Sequence, residues 1–117
     1  MKSGTDLINE AKARIREISA KEALREHASG SAVFLDVRDL QEVNLGKIPG
    51  AVHISRGTME TKVEAAVPRG ARVVVYCSSG NRSALAAVSL GEMGYTDVAS
   101  LAGGFRAWAE SGGEIDG

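Results

Sequence analysis

The 117 residues contain a single cysteine, Cys77. One thiol cannot close an internal disulfide, so nothing in the cysteine usage points to an oxidising compartment. Only two histidines are present, His27 and His53, widely spaced. With one cysteine they do not make a plausible zinc set, so no metal is expected, and no residue pattern implies a cofactor. No apolar run approaches the length of a membrane-spanning helix, and Met1 to Arg14 is polar and charged, without the apolar centre of a signal peptide. A formal net charge of −1 offers no basic surface for nucleic acid or an anionic membrane, so neither partner is expected. Internal repeats and low-complexity tracts are also missing. What remains is one domain with a cytoplasmic default, and a hydrophobic fraction of 44% is enough to build its core.

The most informative stretch runs from Val73 to Ser83. Val73-Val74-Val75-Tyr76 is an apolar, β-branched run that reads as a buried strand. Ser83 opens a series of good helix formers, so a helix is expected from Ser83 to about Met93, with Leu85, Val88 and Met93 available for the sheet. Cys77 lies between strand and helix. A loop of this kind points backbone N–H groups at whatever it encloses, and the helix N-terminus adds partial positive charge. A thiolate is an anion, so such a place favours ionisation. An isolated Cys77 would otherwise read as a small buried hydrophobe. The polar run Ser78-Ser79-Gly80-Asn81-Arg82 argues for a reactive thiol instead. Arg82 has two readings of equal weight: a positive charge serving the thiol, or a surface arginine paired with a carboxylate.

The rest of the chain alternates helical and strand patterns. Leu7, Ile8, Ala11 and Ile15 predict an amphipathic helix or extension over residues 1–15, either lying on the domain or trailing from it; residues 16–117 form the domain proper. Arg16-Glu17-Ile18 reads as a short edge strand. Ser19 and Glu22 form a capping box for a helix through about His27, which is expected on the surface. Ala32 to Leu35 is a second buried strand, followed by Asp36-Val37-Arg38 and a short helix capped by Asp39. Ala51 to Ile54 reads as a third, short strand, Thr58 to Ala66 as a helix, and Val98 to Leu101 as a last strand. Gly103-Gly104 opens a helix carrying Phe105 and Trp108, both expected in the core, and Ser111 to Gly117 is expected to fray. Continuous apolar strands alternating with helices predict an α/β fold, a parallel sheet covered on both faces. In such sheets ligands bind beyond the carboxyl ends of the strands. Cys77, the Asp36–Arg38 segment and the glycines after Leu101 all stand there.

These residues resemble the rhodanese homology domain. Leu35-Asp36-Val37-Arg38, Glu42 and Gly46-Lys47-Ile48-Pro49-Gly50-Ala51-Val52-His53-Ile54 are similar to its first signature, D-V-R-x-x-x-E-x-x-x-G-H-I-x-G-A-x-H-I. The Cys77 loop resembles its active-site loop, and Leu101 to Trp108 is similar to its L-x-G-G-x-x-x-W signature. The match runs from about Ile18 to Ser111. It implies a rhodanese-like fold, a five-stranded, mainly parallel sheet flanked by helices on both faces. It also implies a cysteine that carries sulfur as a persulfide. The family includes thiosulfate sulfurtransferases, sulfur carriers, phosphatase relatives and inactive domains without the cysteine. Two positions depart from it: Lys47 replaces a frequent histidine, and Ser78 stands where thiosulfate-using members often carry a basic residue.

The expected chemistry is therefore nucleophilic. The Cys77 thiolate takes the outer sulfur of a small donor, such as thiosulfate or a persulfide, and passes it to a thiol, a protein acceptor or cyanide. Ser78, Ser79, Gly80, Asn81, Arg82 and Ser83 are expected to bind the anionic sulfur, mainly through their amides. Asp36, Arg38 and Glu42 are expected to hold the surrounding loops by ion pairs and hydrogen bonds rather than to react. His53 is read as a strand-end anchor, not as a base for Cys77. The competing readings are a sulfur-carrier or regulatory binding module and, less favoured, a cysteine phosphatase or arsenate reductase. Those enzymes place five residues between cysteine and arginine, whereas four, Ser78 to Asn81, intervene here.

Overall fold

The computed structural model describes residues 1–117. Five strands, β1 (Arg16–Ile18), β2 (Val33–Asp36), β3 (Val52–His53), β4 (Val73–Tyr76) and β5 (Val98–Leu101), form one sheet in the order β1-β5-β4-β2-β3. Every pairing is parallel. Six α-helices cover it: α1 (Gly4–Arg14), α2 (Ala20–Ser29), α3 (Leu40–Asn44), α4 (Met59–Ala66), α5 (Asn81–Glu92) and α6 (Gly104–Glu110). None is long and apolar enough to cross a membrane.

Side chains alternate across β4, as the pleat requires. Val73, Val75 and Cys77 join one core with Leu35, Val37, Val63 of α4 and Ala86, Ala87 and Leu90 of α5. Val74 and Tyr76 join the opposite core with Phe34, Leu101, Ala23 of α2 and Trp108 of α6. β4 is buried on both faces because it is apolar at every position, and that is why it takes the centre of the sheet. The same alternation sends Cys77 to the α5 face. It sends Ser100 there too, since Val75 and Ser100 are register partners on β4 and β5.

Four sequence expectations are corrected. Helix α5 begins at Asn81, two residues before Ser83, because Gly80 serves as its N-cap with φ at +99°. Leu85 and Val88 do not face the sheet. They face α1, lining with Leu7 and Ala11 a cavity of about 260 Å³. Small Ala86 and Ala87 turn to the strands instead, so α5 has two apolar faces and α1 packs on the outer one. His27 is half-buried rather than on the surface. Its ring meets those of Phe34 and Trp108 edge to face, each at 5.3 Å between centroids, and Nε2 lies 2.8 Å from the Pro49 carbonyl. Residues 111–117 are held rather than frayed: Lys47 and Asp116 exchange backbone hydrogen bonds of 2.9 and 2.8 Å, and Trp108 Nε1 donates to the Glu114 carbonyl at 2.8 Å.

Candidate active site

Cys77 follows directly on β4 and is 1% exposed. Its sulfur sits inside the turn that leads into α5. The Gly80 amide donates to Sγ at 3.1 Å and the Ser83 amide at 3.4 Å, while the Ser83 hydroxyl lies 3.5 Å away. Burial alone pushes the thiol pKa up. The Ser83 hydroxyl and the amides of Ser83, Ser79 and Gly80 outweigh it and bring the pKa below its ordinary value. The two amides converge because Gly80 is the N-cap of α5 and Ser83 lies in its first turn, where N–H groups have no partner within the helix.

Ser83 is itself held. Its hydroxyl is 2.8 Å from that of Ser100, and both residues are fully buried. The arrangement lets Ser100 donate to Ser83, freeing the Ser83 proton for the thiolate. Sequence reasoning missed Ser100. The available signal was a lone hydroxyl inside the apolar strand Val98-Ala99-Ser100-Leu101.

Two glycines let the backbone close around the thiol. A Cβ on Gly80 would stand 3.3 Å from the Gly103 nitrogen, in a conformation with positive φ. A Cβ on Gly104, with φ at +60°, would stand 2.5 Å from the Cys77 carbonyl oxygen. Close approach is needed there because Phe105 donates its amide to the Cys77 carbonyl at 2.7 Å, and Arg106 donates to the Ser78 carbonyl at 3.1 Å. These bonds give Gly104 a structural role at the loop.

Arg82 feels the charge of the Cys77 thiolate but makes no hydrogen bond to the sulfur. Its Nη1 and Nη2 donate to the two carboxylate oxygens of Glu42 at 2.7 and 3.0 Å, and Nη2 also reaches Ser78 Oγ at 3.2 Å. Ser78 Oγ in turn donates to Glu42. The three side chains form a closed ring beside the loop. Arg82, above all, pulls the Glu42 pKa down to about 2, so the carboxylate is ionised at neutral pH. The paired-carboxylate reading of Arg82 thus describes its contacts, and Glu42 belongs to the loop's immediate surroundings.

Asp36 and Arg38 stand apart from that ring. Arg38 donates through Nε and Nη2 to the Asp36 carboxylate at 3.0 and 2.8 Å, and through Nη2 to the Gly46 carbonyl at 2.7 Å. Its guanidinium stacks 4.4 Å from the centre of the Phe105 ring. The pair is buried and ties β2 to the segment before β3; no side-chain hydrogen bond from it reaches residues 77–83. His53 Nε2 lies 2.7 Å from the Arg38 carbonyl, which makes it a strand-end anchor. Asn81 and Ser79 are exposed at the rim.

The fold is thus a doubly covered parallel sheet with a buried cysteine at the carboxyl end of its central strand, beside a helix N-terminus. A family model for the Rhodanese-like domain matches residues 19–111, and the chain belongs to that family. Solved structures agree. A protein of unknown function from Rhodopseudomonas palustris, described as a possible tyrosine phosphatase, is 34% identical with a TM-score of 0.90, over 99% of this chain and 96% of that one. A rhodanese-related protein from Thermoplasma volcanium is 28% identical with a TM-score of 0.79, over 86% and 97%. The rhodanese-like domain of an Anabaena protein is 25% identical with a TM-score of 0.80, over 86% and 78%.

Proposed function

We propose that the chain is a sulfurtransferase that carries sulfane sulfur on Cys77. The observation that carries this reading is the pair of backbone amides that converge on Sγ. The Gly80 and Ser83 amides already contact the sulfur, and the loop's arginine is bound sideways to Glu42. With thiosulfate, the Cys77 thiolate attacks the outer sulfur, the donor S–S bond breaks, and sulfite leaves with the bonding pair. Cys77–S–S⁻ remains. A thiolate or cyanide then attacks the terminal sulfur, taking it away as a persulfide or thiocyanate and restoring the Cys77 thiolate. No proton-transfer residue is required. The loop has to stabilise one negative charge before and after transfer, and amides aimed at the place where that charge sits do so without reorganising.

The phosphatase reading drawn from the Rhodopseudomonas relative requires more of the same loop. A phosphoryl group needs donors for three equatorial oxygens, and an arginine turned toward it supplies two in hydrolases built this way. Here Arg82 is committed to Glu42. The test is intact-mass measurement after incubation with a sulfur donor, with thiocyanate production from cyanide, run beside an aryl phosphate assay on the same sample. One sulfur should add to wild type and none to Cys77→Ser. Phosphate hydrolysis without sulfur transfer would overturn the assignment.

A further inference from the structure

The Glu42–Arg82–Ser78 ring has a consequence for the donor. Arg82 is the only full positive charge carried by the 77–83 loop, and both its terminal nitrogens are spent on the Glu42 carboxylate. Ser78, directly after the thiol, bridges the same two groups. Of the negative charges that Arg82 feels, Glu42 comes first, then the Cys77 thiolate, then Asp39. Glu42 therefore offsets the one full positive charge that this loop carries. What remains for an incoming anion is partial charge, from the Gly80 and Ser83 amides and the N-terminus of the twelve-residue helix α5. That suits one negative charge on one sulfur better than it suits thiosulfate, whose two negative charges are shared between its terminal sulfur and its sulfonate oxygens.

We propose that Glu42 is a specificity-determining residue: by holding Arg82 it makes Cys77 load from persulfides, R–S–SH or R–S–S⁻, in preference to dianionic thiosulfate. This rests on the sulfur-transfer reading above and names its donor class. The step balances as Cys77–S⁻ + R–S–SH → Cys77–S–SH + R–S⁻. The donor S–S bond breaks, a new S–S bond forms at Cys77, and the departing thiolate takes the electron pair. Glu42 touches neither sulfur; it acts by position and by charge on Arg82.

The experiment measures single-turnover sulfur loading of wild type and Glu42→Gln, with thiosulfate and with the persulfide of 2-mercaptoethanol as separate donors, over a range of ionic strength. Wild type should load faster from the persulfide, and its thiosulfate rate should be flat or rise slightly with salt. Glu42→Gln keeps the shape, frees the guanidinium and should speed thiosulfate loading about tenfold. That rate should then fall with added salt, as attraction to an unpaired cation does. Persulfide loading should change less than about twofold. An unchanged donor ratio in Glu42→Gln overturns the inference. So does wild-type thiosulfate loading that already falls steeply with salt, a result that needs no variant to fold. If neither donor loads wild type while Cys77 still alkylates, the sulfur-transfer reading itself fails.

Discussion

At the scale of the residue, the site turns on a contest over one sulfur atom. Burial opposes the Cys77 thiolate, and the Ser83 hydroxyl with the amides of residues 79, 80 and 83 reverses the outcome. The depressed pKa means that the thiolate persists to lower pH than in an unstructured peptide. Alkylation rate plotted against pH should therefore rise at a lower midpoint than for a free cysteine. Replacing Ser83 by Ala removes one donor and leaves the buried Ser100 hydroxyl without its partner. A hydrogen bond to a charged group contributes about 1.5–3 kcal/mol, so the midpoint in Ser83→Ala should rise by about one pH unit or more. At pH values below the wild-type midpoint both proteins should react slowly, and the gap should open as pH rises between the two midpoints. A Ser83→Ala profile that overlays wild type would remove Ser83 from the account and leave the amides alone.

At the scale of the element, the joint between β4 and α5 depends on α6 arriving within backbone contact. Gly104→Ala forces a Cβ against the Cys77 and Ser78 carbonyls at positive φ. It should cost about 2–4 kcal/mol in urea denaturation and displace the loop enough to slow Cys77 alkylation. Gly57→Ala, where an added Cβ meets nothing within 4 Å, should be near neutral in both measurements. Strands β2, β4 and β5 are legible in the sequence because their runs are mainly apolar, and the thiol's place is legible because it lies between a strand and a helix. What escaped reading depends on partners distant in the chain. Helix propensity places the start of α5 at Ser83, whereas Gly80, at positive φ, caps a helix that begins two residues earlier. His27 looked like a solvated helix end because Trp108, which covers it, lies 81 positions later. Two readings of Arg82 stood level because its carboxylate, Glu42, is 40 positions earlier on α3. Leu85 and Val88 were given to the sheet because an apolar residue on a helix does not say which of two neighbours it meets.

At the scale of the whole molecule, the last helix and the tail close one end of the sheet. Trp108 is 1% exposed, packs against Phe34 and His27, and holds the Glu114 carbonyl through its indole N–H. Trp108→Phe retains much of the ring bulk and loses that bond, so it should destabilise by about 1 kcal/mol and speed amide exchange at Lys47 and Asp116. Exchange unchanged at both positions would show that their backbone pairing alone holds the tail. Nothing in this architecture offers Cys77 a companion: it is the only thiol among 117 residues, enclosed at the end of the central strand. On the proposed chemistry each chain holds one sulfur and has no second thiol to which it can pass it internally. Release then requires collision with another molecule, so throughput at low acceptor concentration follows the frequency of that encounter, and the loaded pool can never outnumber the chains themselves.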